Sequence, residues 1–584
     1  MEATGRPATT ATNGGPSKEA HSCQHACQTG RGPSLDGVVI EHISVHLRHL
    51  HPSELRTISR IHLTSRDLHV LPPRHPNPLV AFLRWWASWA VPGMGMFGEA
   101  YTIFAIGNIQ PLLAIQYPSC FGETEPRSCS QSAADSVTYA QICGIILGML
   151  ALGFAGDLIG RMWGSRLTIS IMTVGAVLLT GAYGSSDSQF LAVLLFALFF
   201  FGVGVGGEYP MASSSAAERA EGSKDTRKHR GRAVVLTFSQ QGWGNLVNTL
   251  VILILLAAQG ATSAVDSTQA EITWRVQFGV GAAICLGVAV YRWLRLRESA
   301  VWTAERQDMK THWEQQGVTL GHHSSEYWVI LRFYLPRLLV TCLAWLCNDV
   351  IFYGNKLQMS KFIEVISGGS ISQFKNKQWT LLNSAVALVG YYVAAFTMDL
   401  PQWGRVRCQT LGFAMLCLLY LLCGALYHTL LDQAVWAFQL LYFLSSFFNQ
   451  FGPNCTTWLV AGEVYPTAVR SFFHGASAAC GQLGALAAAI AFTRVSARAT
   501  FYACAGAGAV GFLLTALFLP NTTGLDLHEI DRMNRYLLSG QYHNYHGEAT
   551  NPRHLSRYER WRGYGLFYMP ARDREHKRLQ GNPH

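Results

Sequence analysis

Twelve long apolar windows constrain this chain more than any other feature of its sequence. Each can cross the roughly 30 Å hydrocarbon core of a bilayer, which takes about twenty helical residues. Because every backbone N–H and C=O inside hydrocarbon needs a partner within the chain, such segments predict helices. The windows cover residues 88–112, 138–156, 167–185, 190–212, 232–258, 274–293, 331–354, 379–398, 406–428, 435–459, 472–493 and 500–519. We therefore predict an all-α membrane protein with twelve transmembrane helices.

The distribution of charge favours a membrane protein and argues against a nucleic-acid partner. Asp, Glu, Lys and Arg make up 14% of the chain, whereas a soluble domain typically carries about 25%. The formal net charge of +10 comes mainly from the tails and from loops of one parity, such as residues 219–232. By the positive-inside rule these loops and both termini are cytosolic, and we expect a multi-pass protein of the plasma membrane. Cys120 and Cys129 share the first outer loop, where an oxidising exterior permits a disulfide.

Two turns carry an acid, a glycine and an arginine at matching places in the chain. Asp157, Gly160 and Arg161 follow the second window, and Asp399, Gly404 and Arg405 follow the eighth. Short polar turns often contain glycine and arginine, but the recurrence indicates a six-helix unit that occurs twice, as in transporters built from repeats. The turns resemble the loop motif of the major facilitator superfamily. That resemblance implies that their charges pair across helices and act as a gate.

The repeat predicts five regions along the chain. They are a largely disordered cytosolic tail at 1–85, a six-helix bundle at 86–294, a cytosolic connector at 295–330, a second six-helix bundle at 331–525 and a cytosolic tail at 526–584. In such a transporter the substrate site lies near the bilayer midplane, between the two bundles.

One predicted helix carries an acid in the middle of the membrane. Trp345, Asp349 and Tyr353 are spaced four apart, which keeps their side chains on one helix face. An ionisable group in hydrocarbon is costly, so it usually faces a cavity and has a function. Trp345 and Tyr353 alone would indicate ordinary packing. With Asp349 between them, they predict the wall of a path for a small polar solute.

Three further stretches combine glycine or proline with polar residues. They read GVGVGGEYP at 202–210, QQGWGN at 240–245 and FGPNCTT at 451–457. The glycine run lacks the strand–turn–helix context of a dinucleotide fingerprint. In a membrane helix its small residues permit close packing, and Pro210 is expected to interrupt the helix. Together with the face around Asp349, these stretches resemble the phosphate:proton symporter family of the superfamily, over roughly residues 88–525.

The resemblance implies a phosphate site and a set of proton-coupling acids. The substrate-binding residues would be Tyr209, Gln241, Trp345, Asp349, Tyr353 and Asn454. Tyr, Trp, Gln and Asn side chains donate to phosphate oxygens, and Asp349 accepts from a P–OH group, which sulfate lacks. Glu99, Glu208 and Asp349 would carry the proton, although either glutamate can instead be structural. Arg470 and His474 are expected to be gate partners or loop anchors.

The chain departs from the family pattern at several charged positions. Gln482 stands where the family usually has a lysine, Thr168 and Thr102 stand where it has acids, and apolar residues near Leu198 replace an arginine. The loss of charges of both signs suggests a coordinated change. It favours a monoanion over a dianion as the cargo.

The sequence therefore predicts a secondary transporter that imports inorganic phosphate with protons by alternating access. Two alternatives stay open: a carrier of an organic phosphate such as a glycerophosphodiester or of another organic anion, and a phosphate-binding nutrient sensor with little flux. The chain shows no nucleophile–base pair and no clustered metal ligands, so no catalytic residue, metal or cofactor is predicted. Phosphate, protons and the lipid bilayer are the expected partners, and the oligomeric state is left open.

Overall fold

The computed structural model describes residues 78–579, except for 123–126, 223, 317–322, 358–361, 365–366 and 368–370. Residues 1–77, which make up most of the tail predicted to be disordered, lie outside the described residues. The described part is helical and contains no strand.

The longer helices are numbered in chain order. They are α1 (Pro78–Ile103), α2 (Ala105–Gln116), α3 (Ala140–Ile159), α4 (Arg161–Thr180), α5 (Asp187–Ala220), α6 (Arg230–Ala258), α7 (Ser267–Arg295), α8 (Ala300–Gln316), α9 (His323–Leu357), α10 (Gln373–Thr397), α11 (Gly404–Ala425), α12 (Val435–Asn449), α13 (Cys455–Ala461), α14 (Arg470–Ala491), α15 (Ala497–Phe518), α16 (Leu527–Leu538) and α17 (Pro570–Leu579). Shorter helices are Pro118–Phe121, Gln131–Asp135, Lys224–Lys228, Tyr427–Gln433 and Arg557–Trp561. Single 3-10 turns lie at Ser136–Thr138, Tyr542–Asn544, Glu548–Thr550 and Tyr564–Phe567.

These helices cover all twelve predicted windows. Among the described residues, nine single helices are long and apolar enough to cross a membrane, namely α3 to α7, α9 to α11 and α15. The first and tenth windows, each predicted as one span, are divided between α1 and α2 and between α12 and α13. The eleventh window is α14, which contains Arg470, His474 and Gln482 and is not among these nine helices.

The two proline-containing segments of the predicted site behave differently. Helix α5 continues through Pro210, so the expected interruption does not occur; a membrane helix tolerates proline where neighbouring helices pack around it. In the tenth window a π-turn at Gln450–Asn454 separates α12 from α13, and Gly452 there has the non-helical angles φ −101° and ψ −107°. A Cβ on Gly452 would lie 2.5 Å from the Cα of Gly412 in α11. Close packing of α11 therefore requires glycine at this kink.

We call the helices before the connector, α1–α7, the N-half and those after it, α9–α15, the C-half. Across their interface α3 packs on α14, and α6 packs on α10. A Cβ on Gly475 of α14 would lie 2.2 Å from the carbonyl oxygen of Met149 in α3, so the backbones touch. The turns at 157–161 and 399–405 mark what we call the motif end. The Cys120–Cys129 disulfide, which the sequence permitted, is formed and lies one span away at the opposite end.

The chain after α15 packs over the motif end. The carboxylate of Asp531 in α16 accepts from the N–H and the hydroxyl of Thr467 at 2.6 and 2.8 Å. Arg535 pairs with Glu305 of the connector helix α8 at 2.8 Å. The connector and the C-terminal segment therefore contact each other at this end.

Candidate substrate site and gate

A buried cluster of polar side chains lies between the two halves. Its members come from α5, α6, α9, α10 and the π-turn. The hydroxyls of Tyr209 and Tyr353 are 3.5 Å apart, and Gln241 Nε2 donates to Tyr209 Oη at 2.9 Å. Asn454 Nδ2 donates to Gln241 Oε1 at 3.1 Å. All six predicted substrate residues are buried here: Tyr209, Gln241, Trp345, Asp349, Tyr353 and Asn454.

Asp349 is bonded by amides. Its Oδ1 accepts from Asn348 Nδ2 at 2.9 Å, and its Oδ2 accepts from Gln482 Nε2 at 3.2 Å. Gln482, which stands where the resemblance places a lysine, thus gives Asp349 a neutral hydrogen bond. Asn348 also donates to Asn454 Oδ1 at 3.3 Å. Asp349 is thereby joined to the rest of the cluster.

The indole of Trp345 lies between the cluster and α14. Its ring centroid is 6.4 Å from that of Tyr209 and 5.3 Å from that of His474, against which it packs edge to face. His474 is fully buried, and its Nε2 lies 3.2 Å from the carbonyl oxygen of Trp458. His474 is therefore closer to the site than its predicted role as a gate partner or loop anchor implied.

Sequence reasoning missed several members of the cluster. Tyr391 Oη donates to Gln241 Oε1 at 2.8 Å and accepts from Asn454 Nδ2 at 3.2 Å. Gln450 Oε1 accepts from Asn454 Nδ2 at 2.6 Å. Polar residues inside apolar windows were the available signal. That signal does not identify their partners, because the pairings cross between helices.

Glu99 of α1 is fully buried beside the cluster. Neither of its carboxyl oxygens makes a hydrogen bond of normal geometry with a described residue, although Tyr209 and Gln241 are its polar neighbours. A buried carboxylate without a cationic partner is strongly unfavourable. Glu99 therefore has the surroundings of a group that exchanges a proton.

Glu208 has different surroundings from Glu99. Arg292 of α7 donates to both of its carboxylate oxygens, at 2.5 and 2.6 Å, and Thr168 Oγ1 donates to it at 3.3 Å. A Cβ on Gly95 of α1 would lie 1.9 Å from Glu208 Oε1, so α1 covers the pair closely. The charge of Glu208 is therefore balanced inside the N-half, whereas Glu99 and Asp349 have no bonded arginine or lysine among the described residues.

The first acid–glycine–arginine turn binds the opposite half. Asp157 Oδ1 accepts from Arg161 Nη1 at 2.7 Å. The same carboxylate accepts from the backbone N–H groups of Ser471 and Phe472, at 3.1 and 2.8 Å, at the start of α14. Asp157 therefore caps a helix of the C-half, where unpaired N–H groups and the helix dipole favour a negative charge.

The second turn repeats this arrangement with the halves exchanged. Asp399 Oδ1 accepts from Arg405 Nη1 at 2.9 Å. Its carboxylate accepts from the N–H groups of Gly231 and Arg232, at 3.0 and 2.7 Å, at the start of α6. Each acid thus caps the first turn of a helix in the other half.

Two further glutamates complete the symmetry, and the motif analysis did not identify them. Glu218 bonds Arg161 at 3.0 Å and Arg470 at 3.4 Å. Glu463 correspondingly bonds Arg405 at 2.9 Å and Arg230 at 2.7 Å. Burial raises the pKa of Glu463, but the guanidiniums of Arg230 and Arg405 outweigh it and lower the pKa to about 2. This glutamate is therefore ionised at neutral pH.

Glycine has a conformational role in both turns. Gly160 and Gly404 have φ values of +97° and +65°, in the region that favours glycine. Asp157 and Arg161 thus belong to one ion cluster at the motif end, and Asp399 and Arg405 belong to a second one, while the two glycines shape the turns.

Comparison with known proteins extends the likeness to most of the chain. The profile described as Major Facilitator Superfamily matches residues 93–489. Inorganic phosphate transporter 1-2 of Oryza sativa subsp. japonica is 27% identical, covering 76% of this chain and 93% of that protein. Probable inorganic phosphate transporter 1-6 of Arabidopsis thaliana is 28% identical, covering 77% of this chain and 94% of that protein.

Solved structures share the fold. A structure of the proton:xylose symporter XylE aligns with a TM-score of 0.58 at 16% identity, covering 77% of this chain and 98% of that one. A partially occluded, inward-open structure of XylE from E. coli aligns with a TM-score of 0.55 at 17% identity, covering 75% and 98%. The all-α membrane fold predicted from the sequence is confirmed. Since the family profile extends from α1 to α14 across both halves, the chain belongs to the Major Facilitator Superfamily.

Proposed function

We propose that this protein imports inorganic phosphate together with protons by alternating access of its two halves. The observation that carries the proposal is the buried cluster that joins the halves around Asp349. It offers O–H and N–H donors to phosphate oxygens and a carboxylate to a P–OH group. The relatives named as inorganic phosphate transporters support this choice of cargo.

The chemistry of the cluster favours the monoanion of phosphate. Asp349 is bonded by Asn348 and Gln482, which are neutral. A dianion in this buried space would lack a compensating cation, which is costly. The monoanion also carries two hydroxyl groups, one of which can donate to Asp349. Sulfate has neither hydroxyl at neutral pH and would face the carboxylate without a proton between them.

Glu99 and Asp349 are the proposed proton carriers. Both are buried carboxyls without a bonded lysine or arginine among the described residues. A proton on either group removes a negative charge that would otherwise face the incoming anion. Glu208 is less suited to this role than the sequence suggested, because Arg292 already balances its charge.

The proposed gate is the pair of ion clusters at the motif end, which we place in the cytosol. Asp157 and Asp399 tie the halves together there, so the structure is closed at this end. The Cys120–Cys129 disulfide at the opposite end supports an exterior location for that end. The excess of Lys and Arg in the loops at the motif end supports the same orientation. Cytosolic termini and a plasma-membrane location are part of this proposal.

Uptake of labelled phosphate into proteoliposomes tests the function directly. We expect uptake above that of empty vesicles, stimulated by an inward proton gradient and resistant to competing sulfate. Asp349→Asn should abolish uptake while the protein still inserts and purifies as a monodisperse species. Uptake without any response to the proton gradient would contradict the symport mechanism.

Two further outcomes distinguish the alternatives. Stronger competition by glycerophosphodiesters than by phosphate would indicate an organic-phosphate carrier. Phosphate binding without flux would indicate a sensor. Full activity of Asp349→Asn would show that the cargo binds elsewhere.

A further inference from the structure

A groove with four arginines lies at the motif end of the C-half. It occupies about 640 Å³ between α11, α15 and residues 552–560 of the C-terminal segment. The arginines in its wall are Arg407, Arg553, Arg557 and Arg560, and no acidic residue lines it. Leu411, Phe512 and Leu519 form its apolar part. The groove therefore combines positive charge with a hydrocarbon-like wall, and we call it the arginine groove.

A second cavity adjoins the arginine groove along α11. It measures about 870 Å³ and is lined by Phe447, Phe448 and Phe451. Pro401, Trp403, Arg407 and Leu411 line both cavities. Because α11 begins at Gly404 and α15 ends at Phe518, the arginines lie where membrane helices leave the hydrocarbon. A charged compartment and an apolar one thus meet at the expected membrane surface.

The short helix Arg557–Trp561 presents an interfacial surface beside the groove. Tyr558 packs on Phe518 at the end of α15, with ring centroids 5.5 Å apart. Trp561 at the end of the same helix is 81% exposed, and Leu566 in the next turn is 78% exposed. Exposed Trp next to arginines at the end of a membrane helix is typical of the headgroup region of a bilayer.

We propose that the arginine groove binds the headgroup of an anionic membrane phospholipid, with an acyl chain along the adjoining apolar cavity. Guanidinium groups bind phosphate with paired, charge-assisted hydrogen bonds. Basic pockets between membrane helices on the cytosolic side suit anionic lipid headgroups. A small soluble anion would leave the apolar walls unused, so the combination of both walls favours a lipid.

Lipid retention by the purified full-length chain tests the proposal. The delipidated protein is incubated with detergent micelles that contain equal amounts of phosphatidylserine and phosphatidylcholine, repurified, and its bound lipid is quantified by mass spectrometry. We expect enrichment of phosphatidylserine in the wild type. The double variant Arg557→Gln/Arg560→Gln should lose enrichment by about fivefold per arginine. Both arginines are exposed, so the variant should keep its melting temperature.

A charge-matched control distinguishes lipid binding in the arginine groove from general electrostatic attraction between the lipid and the protein. Arg572→Gln/Arg574→Gln removes the same charge from exposed positions of α17 that do not line the groove, and should leave enrichment unchanged. Equal loss in both double variants would overturn the proposal, as would a wild type without enrichment. Displacement of phosphatidylserine by excess inorganic phosphate would instead identify a free-phosphate site and would also overturn it.

Discussion

Replacement of Asp157 by alanine should weaken closure of the motif end. The carboxylate accepts two N–H bonds from the first turn of α14 in the other half. Alanine removes both bonds and the negative charge at the start of that helix. Arg161 keeps Glu218 and the carbonyl oxygen of Gly156 as partners. The substitution therefore leaves Arg161 with hydrogen-bond partners, and Glu218 then balances both Arg161 and Arg470.

The size of the effect follows from these contacts. Loss of a capping side chain costs about 0.5–2 kcal/mol, and loss of a charge at a helix N-terminus costs about 0.3–1 kcal/mol. Together they destabilise the closed arrangement by roughly 1–3 kcal/mol. Since 1.4 kcal/mol corresponds to a factor of ten, we expect the closed-to-open ratio to fall about five- to 150-fold.

Energy transfer between two dyes can measure this ratio. Unnatural amino acids at positions Ile159 and Leu400, which are exposed on the two halves, would carry the dyes in the detergent-purified protein. The open population should rise in Asp157→Ala. Asp187→Ala is the matched control, because Asp187 bonds Ser119 and Ser128 at the opposite end. An unchanged distribution in Asp157→Ala would refute the assignment of Asp157 as an inter-half latch.

Three other substitutions probe the site and the C-terminal segment. Tyr391→Phe removes a donor to Gln241 and should weaken phosphate binding by about 1–3 kcal/mol, seen as a higher KM for uptake. Gln482→Lys places a cation next to Asp349 and should reduce the dependence of uptake on the proton gradient, measured as the ratio of rates with and without it. Burial and the charges of Asp531 and Asp308 raise the pKa of Glu305 to about 7, more than Arg535 lowers it. The folded state then binds a proton on Glu305 more tightly than the unfolded state, in which the pKa of this carboxyl is near 4.5. The free energy of unfolding therefore falls as the pH rises from about 4.5 to about 7. Glu305→Gln should flatten the fall in melting temperature between about pH 5 and pH 8.

Apolar windows were sufficient to predict the fold, but not its breaks. Pro210 was expected to interrupt α5 and does not, whereas the segment with Gly452 and Pro453 does break. The proline lacks a donor in both places. What differs is the neighbour: Gly412 of α11 packs against Gly452 so closely that the backbone there must be glycine. Such a contact depends on tertiary packing, so it cannot be deduced from the residues of either window alone.

The same limit applies to the candidate site. The face of Trp345, Asp349 and Tyr353 was readable because helical spacing is a local property. Arg292 could not be predicted as the partner of Glu208, because the two residues are separated by 84 positions and lie on different helices. Comparison with the family pattern, which noted an absent arginine near Leu198, gave no indication of this pair.

The hydrogen bonds of the cluster suggest how cargo binding can act on the gate. Gln241 of the N-half bonds Tyr391 and Asn454 of the C-half, and Tyr209 meets Tyr353 in the same way. A phosphate ion that accepts hydrogen bonds from these side chains would replace the direct hydrogen bonds between the halves. The halves would then be connected through the ion. The mutual position of the halves then depends on the cargo and on the protons carried by Asp349 and Glu99. At the motif end, the charged carboxylates of Asp157 and Asp399 cap helices of the opposite half and so oppose opening. The free energy gained in the cluster must therefore exceed the stabilisation by these two caps before the cargo can leave.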